Sequence, residues 1–288
     1  MKGEKFGICA LCKKEAELKA SHIIPKFVSR AVKKKSYTKK LRNAYEPDRA
    51  VQDIHKEYML CGECEQRFSK RENLFNQKIL LPYRNSERAL DDVEYQEWLY
   101  YFITSVSWRS LYEDTKSKEV FIGNGFPESS FQALLDAESN MRKFLLGKAK
   151  KAGNIENHIF FLCESNDFNG RNIPYNLFSN CITGHLVGSK DGALHVFHIL
   201  DGILIVTIIK NADKGRWKNT KVNLKGGKIH STQLIKNSLL DEDINFTLRK
   251  FEEGRQKMSQ SEKDKLIAKI QENPEEFMKS SSYKGMKI

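Results

Sequence analysis

The sequence predicts an α+β fold in two parts, a small cysteine-framed module over residues 1–84 and a helical plus antiparallel-sheet domain over residues 85–288. Three observations predict it. Two Cys-x-x-Cys pairs, Cys9/Cys12 and Cys61/Cys64, bracket the first part. Apolar residues then recur at three- and four-residue steps through two long stretches, the mark of amphipathic helices. Beyond Gly153 the texture changes to short apolar and β-branched runs separated by turn residues, the mark of strands.

The elements follow in order. Between the cysteine pairs, Ala20-Ser21-His22-Ile23-Ile24-Pro25 reads as a strand that stops abruptly, with His22 at its exit. After Cys64 the chain reads as a helix to about Phe75, with Glu65, Ser69 and Glu72 on one face at spacings of four and three. Tyr95, Trp98, Leu99, Phe102, Ile103 and Val106 form the stripe of a helix from about Asp91 to Tyr112. A second helix starts near Pro127, buries Phe131, Leu134, Leu135, Met141, Phe144 and Leu145, and is stopped by Gly147 or Gly153. Strands are expected over 159–163 and 180–183. The runs 195–200 and 203–209 flank Asp201-Gly202, a pair suited to the positive φ angles of a type I′ turn, and so form a hairpin. The second run is apolar throughout, which predicts a strand covered on both faces, by the two helices just named. The tail from about Asp241 reads as polar and helical, with Ser259 and Glu262 at capping-box spacing and Pro274 interrupting it.

Composition limits the function classes. A chain of 288 residues with 40% hydrophobic and 30% charged residues, 6 Pro and 17 Gly is neither collagen-like, disordered nor a mini-protein scaffold. The net charge of +12 is concentrated: residues 1–84 hold 20 Lys and Arg against 10 Asp and Glu, and the remainder 29 against 27. This asymmetry points to a polyanionic partner for the first part, nucleic acid ahead of a membrane surface. The opening residues show no secretory pattern, and the longest apolar run, Ala193–Ile209, carries His195, His198 and Asp201. The expectation is a cytoplasmic chain with no membrane partner, whose first four cysteines, kept reduced, are metal ligands and not bridges.

Four thiolates in two close pairs are what a tetrahedral Zn²⁺ needs to tie two distant turns together, and a closed four-Cys site is structural because it leaves no open position. The segment from Cys9 to Phe75 resembles the HNH nucleases, through Cys9, Cys12, His22, Ile23, Ile24, Pro25, Leu60, Cys61 and Cys64. The resemblance implies a treble-clef, ββα-metal module braced by zinc, acting as an endonuclease on DNA, with RNA also open as substrate. It implies that His22 is the general base that activates water and that one catalytic divalent ion, Mg²⁺ or Mn²⁺, contacts the scissile phosphate. A neutral imidazole near pKa ~6.5 suits that role. Where many relatives carry an acidic residue or a second histidine before the base, this chain has Ser21; where a metal-binding histidine follows the second pair, it has Glu65, which can coordinate. The family's asparagine corresponds to Lys56, with Gln52, Asp53 and His55 nearby, and the sequence does not choose among the four. Lys26, Lys33, Lys34, Lys35, Lys39, Lys40 and Arg42 are the expected backbone contacts.

Such proteins are often effectors of antiphage or restriction-like systems, so the neutral second part is the expected place for regulation or assembly, for example with an ATPase subunit. The alternative is a catalytically inactive, zinc-containing module that binds nucleic acid or docks a partner. In the second part, Cys163, Cys181, His158, His185, His195 and His198 lack ligand spacing and read as core. Trp217 reads equally as a base-stacking residue or an exposed loop aromatic.

Overall fold

The structure, a computed structural model, describes residues 5–86, 90–173, 178–211 and 215–284. It is mixed α+β, with a four-cysteine cluster near the N-terminus. Strand β1 (Lys5–Ile8) and strand β2 (Glu15–His22) form an antiparallel hairpin; helix α1 (Lys26–Lys35) follows at once behind Pro25. A loop carrying the two-residue ladder Leu41–Arg42 with Ala50–Val51 leads to β3 (Lys56–Cys61), which pairs with β2 to complete a three-stranded sheet. Helix α2 (Gly62–Phe75) starts on the last residue of that strand and runs through a π-helical turn, Asn76–Leu80, into Leu81–Asn85.

Helices α3 (Glu97–Asp114) and α4 (Phe131–Leu145) come next. The first starts later than the periodicity suggests because Val93–Tyr95 is taken by a strand pairing with Gly227–Ile229, a long-range partner that local sequence does not display. A five-stranded antiparallel sheet follows, built from β4 (Glu156–Phe161), β5 (Ile182–Gly188), β6 (Leu194–Leu200), β7 (Ile203–Lys210) and β8 (Lys221–Val222) in the order β5-β6-β7-β4-β8. The hairpin turn between β6 and β7 is the one expected, with φ of 57° at Asp201 and 89° at Gly202.

Strand β7 is buried on both faces, one by the two helices expected and the other by a helix of the tail. Ile203 and Ile205 pack toward α3 and α4; Leu204, Val206 and Ile208 pack into a second cluster with Leu239, Leu240 and Ile244 of helix α5 (Ser238–Lys257). The tail is therefore an amphipathic cover for the sheet, capped at its start by the Asn237 side chain, and not a polar appendage. Helix α6 (Gln260–Glu272) is capped by Ser259, and Pro274 opens a further short helix, α7 (Pro274–Lys279).

The main apolar core does not stop at residue 84. Phe75 of α2 stacks on Phe102 of α3 with ring centroids 4.1 Å apart, and Phe68 meets Trp108 edge-on at 6.1 Å. Helix α3 is the shared element, since it presents residues to α2, to α4 and to the sheet and is buried nearly all round. Among the described residues no helix is long and apolar enough to cross a membrane.

Candidate functional site

The four cysteines converge. Cys9 and Cys12 sit in the tight turn after β1, closed by the Lys13 N–H donating to the Cys9 carbonyl at 2.9 Å, with Lys13 itself at φ 62°. Cys61 ends β3, and Cys64 lies in the first turn of α2. All four Sγ atoms lie within 4.8 Å of one another, with Cys12 and Cys61 3.9 Å apart. Four thiolates at ~2.3 Å from one Zn²⁺ lie about 3.8 Å from each other, so this set fits a metal such as zinc. The Cys61 N–H donates to the Cys9 sulfur at 3.3 Å. A hydrogen bond from Cys64 and the main-chain N–H groups of Cys12, Cys61 and Leu11 outweigh burial and pull the Cys9 thiol well below its ordinary range, while sharing that sulfur pushes Cys64 up. Among the described residues this is the one such cluster of His, Cys, Asp and Glu.

The same sheet places His22. Strand β3 carries one extra residue, Met59, opposite the Lys19–Ala20 step of β2. Ser21 stitches this bulge: its buried hydroxyl accepts from the Leu60 N–H at 3.2 Å and donates to the Lys19 carbonyl at 3.3 Å. That explains the serine before the histidine, whose hydroxyl serves the backbone and not an ion. His22 follows at the strand exit, and Pro25 turns the chain into α1.

The His22 Nε2 lies 3.0 Å from Oδ2 of Asp53, in the loop before β3. Of the four residues the sequence leaves open, Asp53 is therefore the one that reaches the ring. Lys56 comes to 3.4 Å and Lys26 to 3.8 Å of the same carboxylate oxygen. Burial raises the Asp53 carboxyl, but the hydrogen bond and charge of His22, the Ile54 N–H and Lys26 overcome it and hold the group down to about 2. A permanent carboxylate beside one ring nitrogen favours a proton there and leaves the other nitrogen to accept one.

The backbone of His22 is held from beyond residue 84. Arg109 of α3, nearly fully buried, donates to the His22 carbonyl at 2.8 Å and to the Glu72 carboxylate at 2.7 Å. Sequence reasoning missed Arg109, although a charged residue inside an otherwise apolar helical stretch is a signal that it has a buried partner. Glu72 is thus committed to a structural pair. Glu65 lies in the first turn of α2, half-buried, and its Oε1 is sealed from solvent with no hydrogen-bond partner. His22, Asp53 and Glu65 do not form a second converging ligand set.

The basic residues divide. Lys34 and Lys40 are exposed, and Lys26 is exposed beside the His22–Asp53 pair. Lys33 donates to the Gln52 carbonyl, Lys35 to the Arg84 carbonyl at 3.1 Å and Lys39 to the Lys34 carbonyl at 3.1 Å. Arg42 is anchored between the Pro47 carbonyl at 2.6 Å and Glu262 of α6 at 3.1 Å. In the second part, Cys163, Cys181, His158, His195 and His198 are buried, and Trp217 lies against the His158 ring at 4.3 Å. His185 is half-exposed and paired with Asp243 at 2.7 Å. Compared with family models, with curated proteins and with solved structures, the chain matches none.

Proposed function

We propose that residues 5–86 form a zinc-braced treble-clef module of the HNH nuclease type, and that the protein hydrolyses phosphodiester bonds of DNA with His22 as general base. The observation that carries this reading is the His22–Asp53 pair at 3.0 Å, at the exit of the strand whose other end pairs with Cys61 of the four-cysteine cluster, in a segment with an excess of basic charge. His22 takes a proton from water as the oxygen attacks phosphorus. The bond from phosphorus to the 3′ oxygen breaks, and that oxygen leaves with a proton drawn from solvent. Asp53 holds the ring and stabilises the imidazolium that forms, as a carboxylate does in other histidine dyads. Lys26 and Lys56, beside the pair, offer positive charge to the neighbouring phosphates.

The resemblance also implies a catalytic Mg²⁺ or Mn²⁺, which would supply charge neutralisation at the phosphate. The sealed oxygen of Glu65 is a free donor for it, but the Asp53 oxygen nearest His22 is already shared with that ring and two lysines. Among the described residues these do not amount to a resident second site. The same incompleteness, together with the hydroxyl of Ser21 being used by the backbone, favours a second reading: a module that grips nucleic acid without cutting it.

Incubating the purified chain with supercoiled plasmid, single-stranded DNA and RNA in Mg²⁺, Mn²⁺ or EDTA decides between them. Metal-dependent nicking supports the nuclease, and retention of the nucleic acid uncut under every condition supports the binder.

A further inference from the structure

A cleft of about 760 Å³ opens between the loop before β3 and the exposed side of α5, and Asp53 and His185 both line it. Its wall carries two exposed aromatic rings, Tyr45 at 64% exposure and Phe246 at 40%. A cation lies close to both rings. The Lys250 Nζ sits 6.0 Å from the centre of Tyr45 and 5.4 Å from that of Phe246, held by Glu253 at 2.8 Å. Lys40 lines the same space. At its far end His185 is fixed by Asp243, whose second oxygen is buried with no hydrogen-bond partner, so that a carboxylate is committed to orienting one imidazole.

We propose that this cleft is a nucleoside-phosphate subsite. A base stacks on Tyr45 and Phe246, while Lys40, Lys250 and His185 meet its phosphate. Flat faces beside ammonium and imidazole groups match a nucleotide in both shape and charge. The volume is of the size that takes a small ligand. Because Asp53 forms the near wall, a strand seated here passes the His22–Asp53 pair, so the inference deepens the nuclease reading and rests on it for the identity of the polymer. The ligand is either one unit of a single strand or a free mononucleotide.

Fluorescence anisotropy of a labelled single-stranded octamer tests this, using full-length protein with His22→Ala to prevent cleavage. Tyr45→Ala and Phe246→Ala, both surface changes, are each expected to weaken binding by about tenfold or more. Phe246→Trp is expected to retain affinity and Phe246→Leu to lose it, because the leucine keeps bulk without an aromatic face. Competition by deoxynucleoside monophosphates makes the free nucleotide the ligand; strand binding without competition makes the site part of a strand path; either outcome supports the subsite. Affinity unchanged in both alanine variants at unchanged thermal midpoint overturns it, as does failure of both probes to bind. If Tyr45→Ala and Phe246→Ala leave octamer and mononucleotide binding unchanged while the chain with intact His22 still nicks plasmid, the cleft inference fails and the nuclease reading stands. Aromatic-dependent binding by a chain that cleaves nothing upholds the cleft and removes the nuclease reading.

Discussion

Arg109 donates one guanidinium N–H to the main-chain carbonyl of His22 at 2.8 Å and another to Glu72 at 2.7 Å, so helix α3 fixes both the exit of β2 and the last turn of α2. The chain beyond residue 84 is thereby part of the frame that sets the histidine. Removing a buried guanidinium that bridges two acceptors leaves both of them unsatisfied. Arg109→Ala is expected to cost about 3–5 kcal/mol in urea unfolding. Arg109→Lys is expected to recover only part of this, since an ammonium does not reproduce the planar fork. A loss under about 1 kcal/mol, the size of a surface ion pair, would contradict the assigned role.

The cysteine cluster predicts a metal content. Protein purified without chelator is expected to carry one zinc per chain by elemental analysis, and Cys61→Ser to carry substantially less. Because structural zinc contributes folding free energy on the order of 10 kcal/mol, chelation is expected to lower the thermal midpoint by roughly 10 °C or more. A zinc-free chain with an unchanged midpoint would rule out the brace.

Asp114, at the end of α3, predicts a pH dependence. Burial, with Glu113 adding to it and His185 opposing, raises its carboxyl from the ordinary 3.8 to about 6. The folded state thus holds this proton more tightly than the unfolded chain. The destabilisation is absent below pH 3.8, grows between 3.8 and about 6, and is complete above 6. Asp114→Asn is expected to stabilise the protein at pH 7 by about 1–2 kcal/mol, after allowance for partial solvent contact, and to have no effect near pH 3.5. Denaturant curves at the two pH values check this; an equal effect at both would refute it.

Asp201 shows where sequence and structure part company. Its place in the turn is legible, since Asp-Gly suits positive φ at both positions. Its burial against Arg84 at 3.0 Å is not, because that partner lies 117 positions earlier and nothing local marks the pairing. Asp201→Asn separates the two roles: asparagine keeps the turn but removes the charge facing Arg84, and is expected to cost about 3 kcal/mol or more. A neutral result would assign the residue to the turn alone.

The same distinction runs through the rest of the molecule. Features with a local signature were legible: the paired spacing of Cys9 with Cys12 and of Cys61 with Cys64, His22 at a strand exit, the stripes of α3 and α4, the β6–β7 hairpin. Features set by distant partners were not. Val93–Tyr95 becomes a strand because of residues 227–229, and Leu239, Leu240 and Ile244 cover β7 although the tail around them is rich in charge. In the site, composition could offer Gln52, Asp53, His55 and Lys56 as partners for the ring, but only the path of the loop selects Asp53. Part of the lysine-rich stretch is similarly redirected, with Lys33, Lys35 and Lys39 donating to main-chain carbonyls and Arg42 to Glu262.

The proposed chemistry turns on His22, oriented by Asp53, taking the proton from the attacking water. Initial rates of plasmid nicking by the wild-type chain and by His22→Ala, at matched zinc content and thermal midpoint, are the decisive comparison. The variant is expected to lose at least about 10²-fold in rate, the usual contribution of a positioned base. Nicking at equal rates by the two proteins would remove His22 from the reaction.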